Sequence, residues 1–101
     1  MLEIEDFTAL AERFKILGDG SRLRIFWILC HSEECVSSLS IRMQMSPPAV
    51  SHHLKQLRLA RLLTQHREGK EVYYHAADST EVHQLHHAIE ALMHISCEAC
   101  E

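Results

Sequence analysis

The segment Ser46–Leu59 constrains the fold of this chain more than any other stretch. It opens with a serine followed by two prolines. Serine is a favoured N-cap and proline is tolerated in the first helical turn, so a helix is predicted to begin here. Val50, Leu54 and Leu57 recur at i, i+4 and i+7 and predict one buried face. The outer face is then small and polar, and comprises Ala49, Ser51, His52, Lys55 and Gln56. An ordinary surface helix and a helix that contacts DNA both fit this pattern.

Apolar periodicity predicts three helices before this segment. The first, Asp6–Leu17, is amphipathic, and the second, Arg22–His31, is apolar almost all round, which predicts a central place in the core. Asp19 or Ser21 can cap the second helix. The third, Cys35–Met43, is short and is followed by a turn. A short helix, a turn and a second helix with a polar outer face form a helix-turn-helix, whose second helix enters the major groove.

Two strand-like runs follow the segment Ser46–Leu59. They are Leu62–Arg67 and Glu71–His75, and the glycine between them predicts a hairpin turn. The hairpin is interpreted as a wing whose tip carries Arg67 and Lys70. The predicted fold class is therefore mainly α with a β-hairpin wing, in a single winged helix-turn-helix domain over residues 1–101. Its parts are the helix-turn-helix at about 36–60, the wing at about 62–75 and a terminal helix at about 79–97.

Charge is unevenly distributed along the chain. The net charge is −4, but the stretch from Arg42 to Lys70 contains six basic residues and one acidic residue. Phosphate neutralisation supplies most of the sequence-independent affinity for DNA. A local charge of +5 inside an acidic protein therefore favours a DNA-binding region on an acidic body.

Other features of the sequence exclude several classes of function. No run approaches the roughly 20 apolar residues of a membrane span, and the acidic N-terminus is unlike a signal peptide, so a cytoplasmic protein is expected. Its four cysteines are then expected to be thiols. The sequence lacks a His-Glu-x-x-His motif, a Gly-x-Ser-x-Gly motif and a phosphate-binding glycine loop, and has only three glycines. We therefore do not expect an enzyme.

Several motifs together resemble the ArsR/SmtB family. They are Leu-Gly-Asp-Gly-Ser-Arg-Leu-Arg-Ile at 17–25, Ala-Val-Ser-His-His-Leu-Lys-Gln-Leu at 49–57, Arg-Glu-Gly-Lys at 67–70 and Val-Tyr-Tyr at 72–74. The resemblance implies a homodimeric winged-helix repressor, with its terminal helix at the dimer interface. It further implies a palindromic double-stranded DNA operator and release by a metal, a metalloid or a redox signal. The DNA contacts it implies are Pro48, Ser51, His52 and Gln56 on the helix and Arg67 and Lys70 on the wing, to which the outward-facing Lys55 is added.

The terminal helix has an unusual distribution of side chains. One face is apolar, with Val82, Leu85, Ile89, Leu92 and Met93. The opposite face is predicted to carry potential metal ligands, namely His83, His86, His87, Glu90, His94 and Cys97. Histidines at i, i+4 and a glutamate at i+3 or i+4 can share one ion. Solvated polar residues on an exposed face are the alternative.

The resemblance also implies a zinc site between paired terminal helices, and this chain fits it in two ways. The ungapped register puts Asp78, Thr80, Ala91 and His94 at the ligand positions, a set that cannot complete the site. A shift of three residues gives Glu81, His83, His94 and Cys97 but costs agreement in the apolar positions. We therefore favour a variant site made of His83, His87, Glu90 and His94. Its nitrogen and oxygen ligands suit a transition metal ion such as zinc, nickel or cobalt as effector.

A thiol site is the alternative to the histidine site. Cys97 and Cys100 form a Cys-x-x-Cys pair that could join Cys30 or Cys35 to bind arsenite or a soft metal, or could be oxidised. Cys30 lies on the apolar second helix, where packing is the simpler interpretation. The sequence leaves the choice between imidazoles and thiols open. A winged-helix DNA-binding module that responds to no ligand is the second alternative.

Overall fold

The computed structural model describes residues 1–94. It contains five helices and two strands in the order α1 Ile4–Leu17, α2 Gly20–Leu29, α3 Val36–Met43, α4 Pro47–Leu59, β1 Leu63–Glu68, β2 Glu71–Ala76 and α5 Thr80–Met93. The predicted fold class, mainly α with a β-hairpin, is confirmed. Within the described part of the chain, no end of a helix or strand differs from the predicted one by more than two residues.

Side-chain caps fix where three of the helices begin. The Asp19 carboxylate accepts a hydrogen bond from the Arg22 backbone N–H at 2.9 Å, which identifies it, rather than Ser21, as the cap of α2. Ser46 Oγ accepts from the Ala49 N–H at 3.3 Å, with the two prolines in the first turn of α4. Ser79 Oγ accepts from the Val82 N–H at 3.2 Å at the start of α5. Each cap satisfies a backbone donor that the helix itself leaves without a partner.

The core lies where α2, α3 and α4 meet. Ile25 and Phe26 of α2 are fully buried, as predicted for the helix that is apolar almost all round. Leu39 from α3 and the three buried residues of α4 complete this centre, since Val50, Leu54 and Leu57 are all at most 1% exposed. The buried face predicted for α4 is therefore confirmed, and the opposite face is left for other contacts.

Helix α1 has its predicted apolar stripe, but most of the stripe is uncovered. Phe7 and Phe14 are each 59% exposed and Leu10 is 45% exposed, whereas Leu17 is buried. Leu10 and Phe14 line an apolar groove with Leu85 of α5, so within residues 1–94 they are covered only in part. An apolar stripe of this length on a surface marks a site of interaction with another molecule.

The hairpin is antiparallel and tightly turned. Glu68 pairs with Glu71, so Gly69 and Lys70 form a two-residue turn. Gly69 has φ +65°, a left-handed conformation that glycine adopts without steric cost. The connector between α2 and α3 lies against the outer side of β2, where the Glu34 N–H donates to the Tyr74 carbonyl at 3.1 Å and the Tyr74 N–H donates to the Glu34 carbonyl at 2.8 Å. This short bridge attaches the connector to the wing.

Candidate DNA-binding and effector faces

The solvent side of α4 carries the side chains predicted to contact DNA. Pro48, Ser51, His52 and Lys55 are exposed there. Gln56 differs from them because it is half-buried and lines a groove between α1 and the end of α4, with Arg13 and Arg61 among its neighbours. A turn at Gln44, whose φ is +54°, separates α3 from α4. The two helices thus form the predicted helix-turn-helix.

Sequence patterns did not single out His53, which connects α4 to α2. Arg22 Nε donates to His53 Nδ1 at 3.3 Å, and the Asp19 carboxylate lies 3.9 Å from the other ring nitrogen. The Arg22 guanidinium also donates to the Ile16 carbonyl at 3.2 Å. Burial and the neighbouring Arg22 charge lower the pKa of His53, while Asp19 opposes the shift. A neutral His53 thus helps to orient α4 against the start of α2.

The wing carries its basic residues at the tip. Arg67 lies near the end of β1 and Lys70 lies in the turn, and both side chains are exposed. Glu68 and Glu71 flank the turn and are exposed as well. Cations in these positions can contact phosphates beside the groove that a recognition helix occupies.

Helix α5 is rotated relative to the predicted arrangement. His86 and Glu90 are buried, at 3% and 9% exposure, whereas Leu92 and Met93 are 80% and 60% exposed. The prediction that the ligand-rich face lies opposite the core is therefore wrong for two of its members. At 100° per residue, His86 is only about 40° from Val82 around the helix, so the two faces adjoin each other. The buried line runs through Val82, His86 and Glu90.

Two rings, one in α2 and one just after it, explain why His86 is buried. Its ring stacks on Trp27 with centroids 4.9 Å apart, and its Nε2 lies 3.1 Å from His31 Nε2. His31 Nδ1 donates to the Trp27 carbonyl at 2.8 Å, since a carbonyl can only accept. Burial lowers the pKa of His86, and the Glu90 carboxylate opposes that shift. These contacts attach α5 to α2.

Glu90 is the predicted ligand with the most unusual environment. Its Oε1 is buried and accepts no hydrogen bond of good geometry from the described residues, although His86 Nδ1 lies 3.1 Å away and His87 Nδ1 lies 3.7 Å away. A buried carboxylate oxygen without a donor is costly in free energy. A cation bound there would satisfy it, so this part of the helix fits a metal ligand.

His83 and His94, the remaining predicted ligands of α5, do not converge on Glu90. His83 Nε2 lies 2.9 Å from Asp78, and His94 is an exposed residue that ends the helix with φ +57°. Within residues 1–94 of a single chain, no three of the four side chains His83, His87, Glu90 and His94 come close enough together to hold one ion. One chain alone therefore does not assemble the predicted site.

The thiol alternative involves residues in two parts of the chain. Cys35 is buried and is the N-cap residue of α3, with its Sγ 3.6 Å from Ser38 Oγ. Cys30 is half-buried and packs against the core, in agreement with the packing interpretation. Cys97 and Cys100, with the predicted end of the terminal helix, lie outside the described residues.

The fold and the exposed polar face of α4 define a winged helix-turn-helix protein. Residues 19–65 match the family model described as bacterial regulatory protein, arsR family. The transcriptional repressor SmtB homolog of Synechocystis sp. is 40% identical over 79 residues, which are 78% of this chain and 60% of that protein. The arsenical resistance operon repressor of Staphylococcus aureus is 36% identical over 83 residues, which are 82% of this chain and 71% of that protein. The chain belongs to the ArsR family of bacterial regulatory proteins.

A solved structure supports the same assignment. It is the solution structure of the homodimeric winged helix-turn-helix DNA-binding domain of Mb0332 from Mycobacterium bovis, described as a possible ArsR-family regulator. It is 26% identical, with a TM-score of 0.77, over 87% of this chain and 81% of that one. The chain spans 60% of the length of its Synechocystis relative. Among the described residues, none of the helices is both long and apolar enough to cross a membrane.

Proposed function

We propose that this protein is a transcriptional repressor that binds an operator as a homodimer and is released when a transition metal ion binds its terminal helix. The observation that carries the DNA-binding part is α4, whose Val50, Leu54 and Leu57 are buried while its polar and basic face is exposed beside a wing with a basic tip. Related proteins named as repressors support the regulatory part.

Operator binding follows from two sets of contacts. Ser51, His52 and Lys55 on α4 are available to base edges and phosphates of the major groove, and the wing cations are available to the backbone. Selection of bound sequences from a random double-stranded library tests this directly. We expect an inverted repeat whose half-sites are about one helical turn apart.

Two substitutions, each of which removes one positive charge, test whether α4 contacts the operator. Lys55→Ala removes a cation from α4, and Lys15→Ala removes one from α1 as a matched control, both at exposed positions. We expect Lys55→Ala to weaken operator binding and to reduce its salt dependence by about one phosphate contact, and Lys15→Ala to do neither. Equal effects of the two substitutions, or no selected sequence at low salt, would contradict the proposal.

The dimer is proposed to form through α1 and the end of α5. Ile4, Phe7 and Phe14 on α1 and Leu92 and Met93 on α5 are all at least 59% exposed. A second copy of the chain would bury these side chains, and an Arg13–Glu81 ion pair already connects α1 to α5. Sedimentation equilibrium tests this proposal. We expect Phe7→Glu to give monomers, whereas Ile41→Glu, at an exposed apolar residue of α3, leaves the dimer intact.

The metal site is proposed on α5, with His83, His87, Glu90 and His94 as ligands. The buried Glu90 oxygen supplies one anionic ligand, and His87 is its exposed neighbour. Since these four side chains do not converge within one chain, the site takes ligands from the terminal helices of both copies. Zinc, nickel and cobalt suit such a set of ligands. Bound metal would favour a dimer arrangement that fits DNA less well, by a coupling free energy of about 1–3 kcal/mol.

Operator release distinguishes the imidazole site from the thiol site. We expect zinc, nickel or cobalt to weaken operator binding of the wild type about 5- to 150-fold under reducing conditions. A His87→Gln and His94→Gln double substitution should abolish the response, and a Cys97→Ser and Cys100→Ser double substitution should keep it. Release by arsenite that depends on Cys35, Cys97 or Cys100 would instead identify a thiol sensor.

A further inference from the structure

Three potential metal ligands meet at the base of the wing, and none of them belongs to α5. His66 lies in β1 and His75 in β2, and Glu33 belongs to the connector between α2 and α3. One ligand atom from each side chain lies within 4.8 Å of the other two. Glu33 Oε2 lies 3.8 Å from His66 Nε2. We call these three residues the wing-base cluster.

The strand register explains why the two histidines are neighbours. Thr64 pairs with His75 and His66 pairs with Tyr73, so the two histidines are diagonal neighbours on one face of the hairpin. Their ring centroids are 6.2 Å apart. The Glu34–Tyr74 backbone bridge holds the preceding residue, Glu33, beside this face. Elements distant in sequence thus bring the three side chains together.

Neighbouring groups orient the two imidazoles. His75 Nδ1 lies 3.0 Å from the Ala76 carbonyl, which accepts a hydrogen bond from the tautomer protonated on Nδ1. That tautomer leaves the lone pair on Nε2, which lies 2.9 Å from Thr64 Oγ1, so the Thr64 hydroxyl donates to it until a metal ion takes its place. Such a contact between Nδ1–H and a backbone carbonyl is common for metal-binding histidines. The His66 ring stacks on Tyr73 with centroids 5.9 Å apart. Rings held in this way lose little freedom when they bind an ion.

The chemistry of the wing-base cluster selects a class of ion. Two imidazoles and one carboxylate suit zinc, nickel or cobalt, whereas magnesium and calcium prefer oxygen ligands alone. Three protein ligands leave a coordination position for water. A groove of about 450 Å³, with Glu33 and His75 in its lining, provides room for that water. Glu68 Oε2, 3.7 Å from His66 Nε2, adds negative charge near the ion.

We infer that Glu33, His66 and His75 form a divalent transition-metal site at the base of the wing. It shares no residue with the site proposed on α5, and does not depend on it. An ion bound here connects the α2–α3 connector to both strands of the hairpin, so it fixes the wing relative to the helix-turn-helix.

Counting bound ions in variants of the full chain tests this site. Protein freed of metal by a chelator is titrated with Zn²⁺ under reducing conditions by isothermal calorimetry. The test variant carries His66→Gln and His75→Gln, and a control variant carries His52→Gln at an exposed position on α4. We expect the test variant to bind one ion per chain fewer than the wild type, and the control to bind as many. Glu33→Gln alone should weaken the same binding event.

Two further measurements distinguish loss of the wing-base ion from loss of the fold and from loss of the site proposed on α5. Circular dichroism of each metal-free variant shows whether it is folded, and Glu33→Gln is at an exposed position where folding should be unaffected. A His87→Gln and His94→Gln variant should keep the wing-base ion even if it loses the operator response. Equal numbers of ions with equal affinity in the wild type and in both wing-base variants would overturn the inference, as would a wild type that binds no ion.

Discussion

The contact between Arg22 and His53 predicts how stability depends on pH. Arg22 Nε donates to His53 Nδ1, so this nitrogen must carry a lone pair in the folded protein. Burial lowers the pKa of His53 in the folded state, whereas the unfolded chain takes up the proton at the ordinary value. The stabilising contribution is therefore fully present above the ordinary histidine pKa and is lost as the pH falls through it.

The size of the effect follows from the number of protons bound. Over the range in which the unfolded chain holds one more proton than the folded protein, the free energy of unfolding falls by about 1.4 kcal/mol per pH unit. His53→Asn removes this titration but keeps an acceptor, because the Asn Oδ1 can take the place of Nδ1. Between about pH 7.5 and about pH 5.5 the wild type should thus lose more stability than the variant.

Urea denaturation at a series of pH values measures the difference. His52→Asn is the matched control, because it makes the same change at the adjacent, exposed position of α4. We expect the control to keep the steeper pH dependence of the wild type, and His53→Asn to reduce it. If the wild type and His53→Asn lost stability in parallel, the assigned role of the Arg22–His53 contact would be refuted.

Three further substitutions test other parts of the fold through their thermal unfolding. Ser46→Ala removes the cap of α4 and should destabilise the protein by about 1 kcal/mol, so an unchanged melting temperature would exclude the capping role. Gly69→Ala should destabilise the protein by about 1 kcal/mol or more, because alanine is strained at the φ of +65° found there although no atom would clash with its Cβ. Gly20→Ala is the control: position 20 lies in a helical turn with equally open space, so this substitution should not destabilise the protein. Leu54→Ala should destabilise by about 2–5 kcal/mol because this side chain is 1% exposed, and a cost under about 1 kcal/mol would contradict its place in the core.

Local signals explain why the helix-turn-helix and the wing could be predicted from sequence. Ser46 and the prolines fix the start of α4, and the glycine at position 69 fixes the turn of the hairpin. These features act through backbone geometry and capping within a few residues. The cap of α2 is also a local feature, although the sequence alone did not decide between Asp19 and Ser21.

Tertiary contacts explain why the ligand-rich face of α5 was predicted less well. Periodicity places His86 beside Val82 but does not show that Trp27 of α2 and His31, just after α2, contact it. Glu90 is buried one turn further along the same line. His53 gave no signal of its own, because its importance depends on Arg22, which is distant in sequence. Contacts between elements thus set the environment of each titratable group.

The uncovered stripe of α1 has a consequence for how this protein behaves at low concentration. Leu17 is the buried residue of that helix, so an isolated copy holds α1 through few core contacts. We expect the folding of α1 and the association of two copies to form one equilibrium. Each tenfold dilution would then lower the apparent stability of the dimer by about 1.4 kcal/mol. The number of copies in a cell would thus itself set what fraction of the protein forms the proposed dimer.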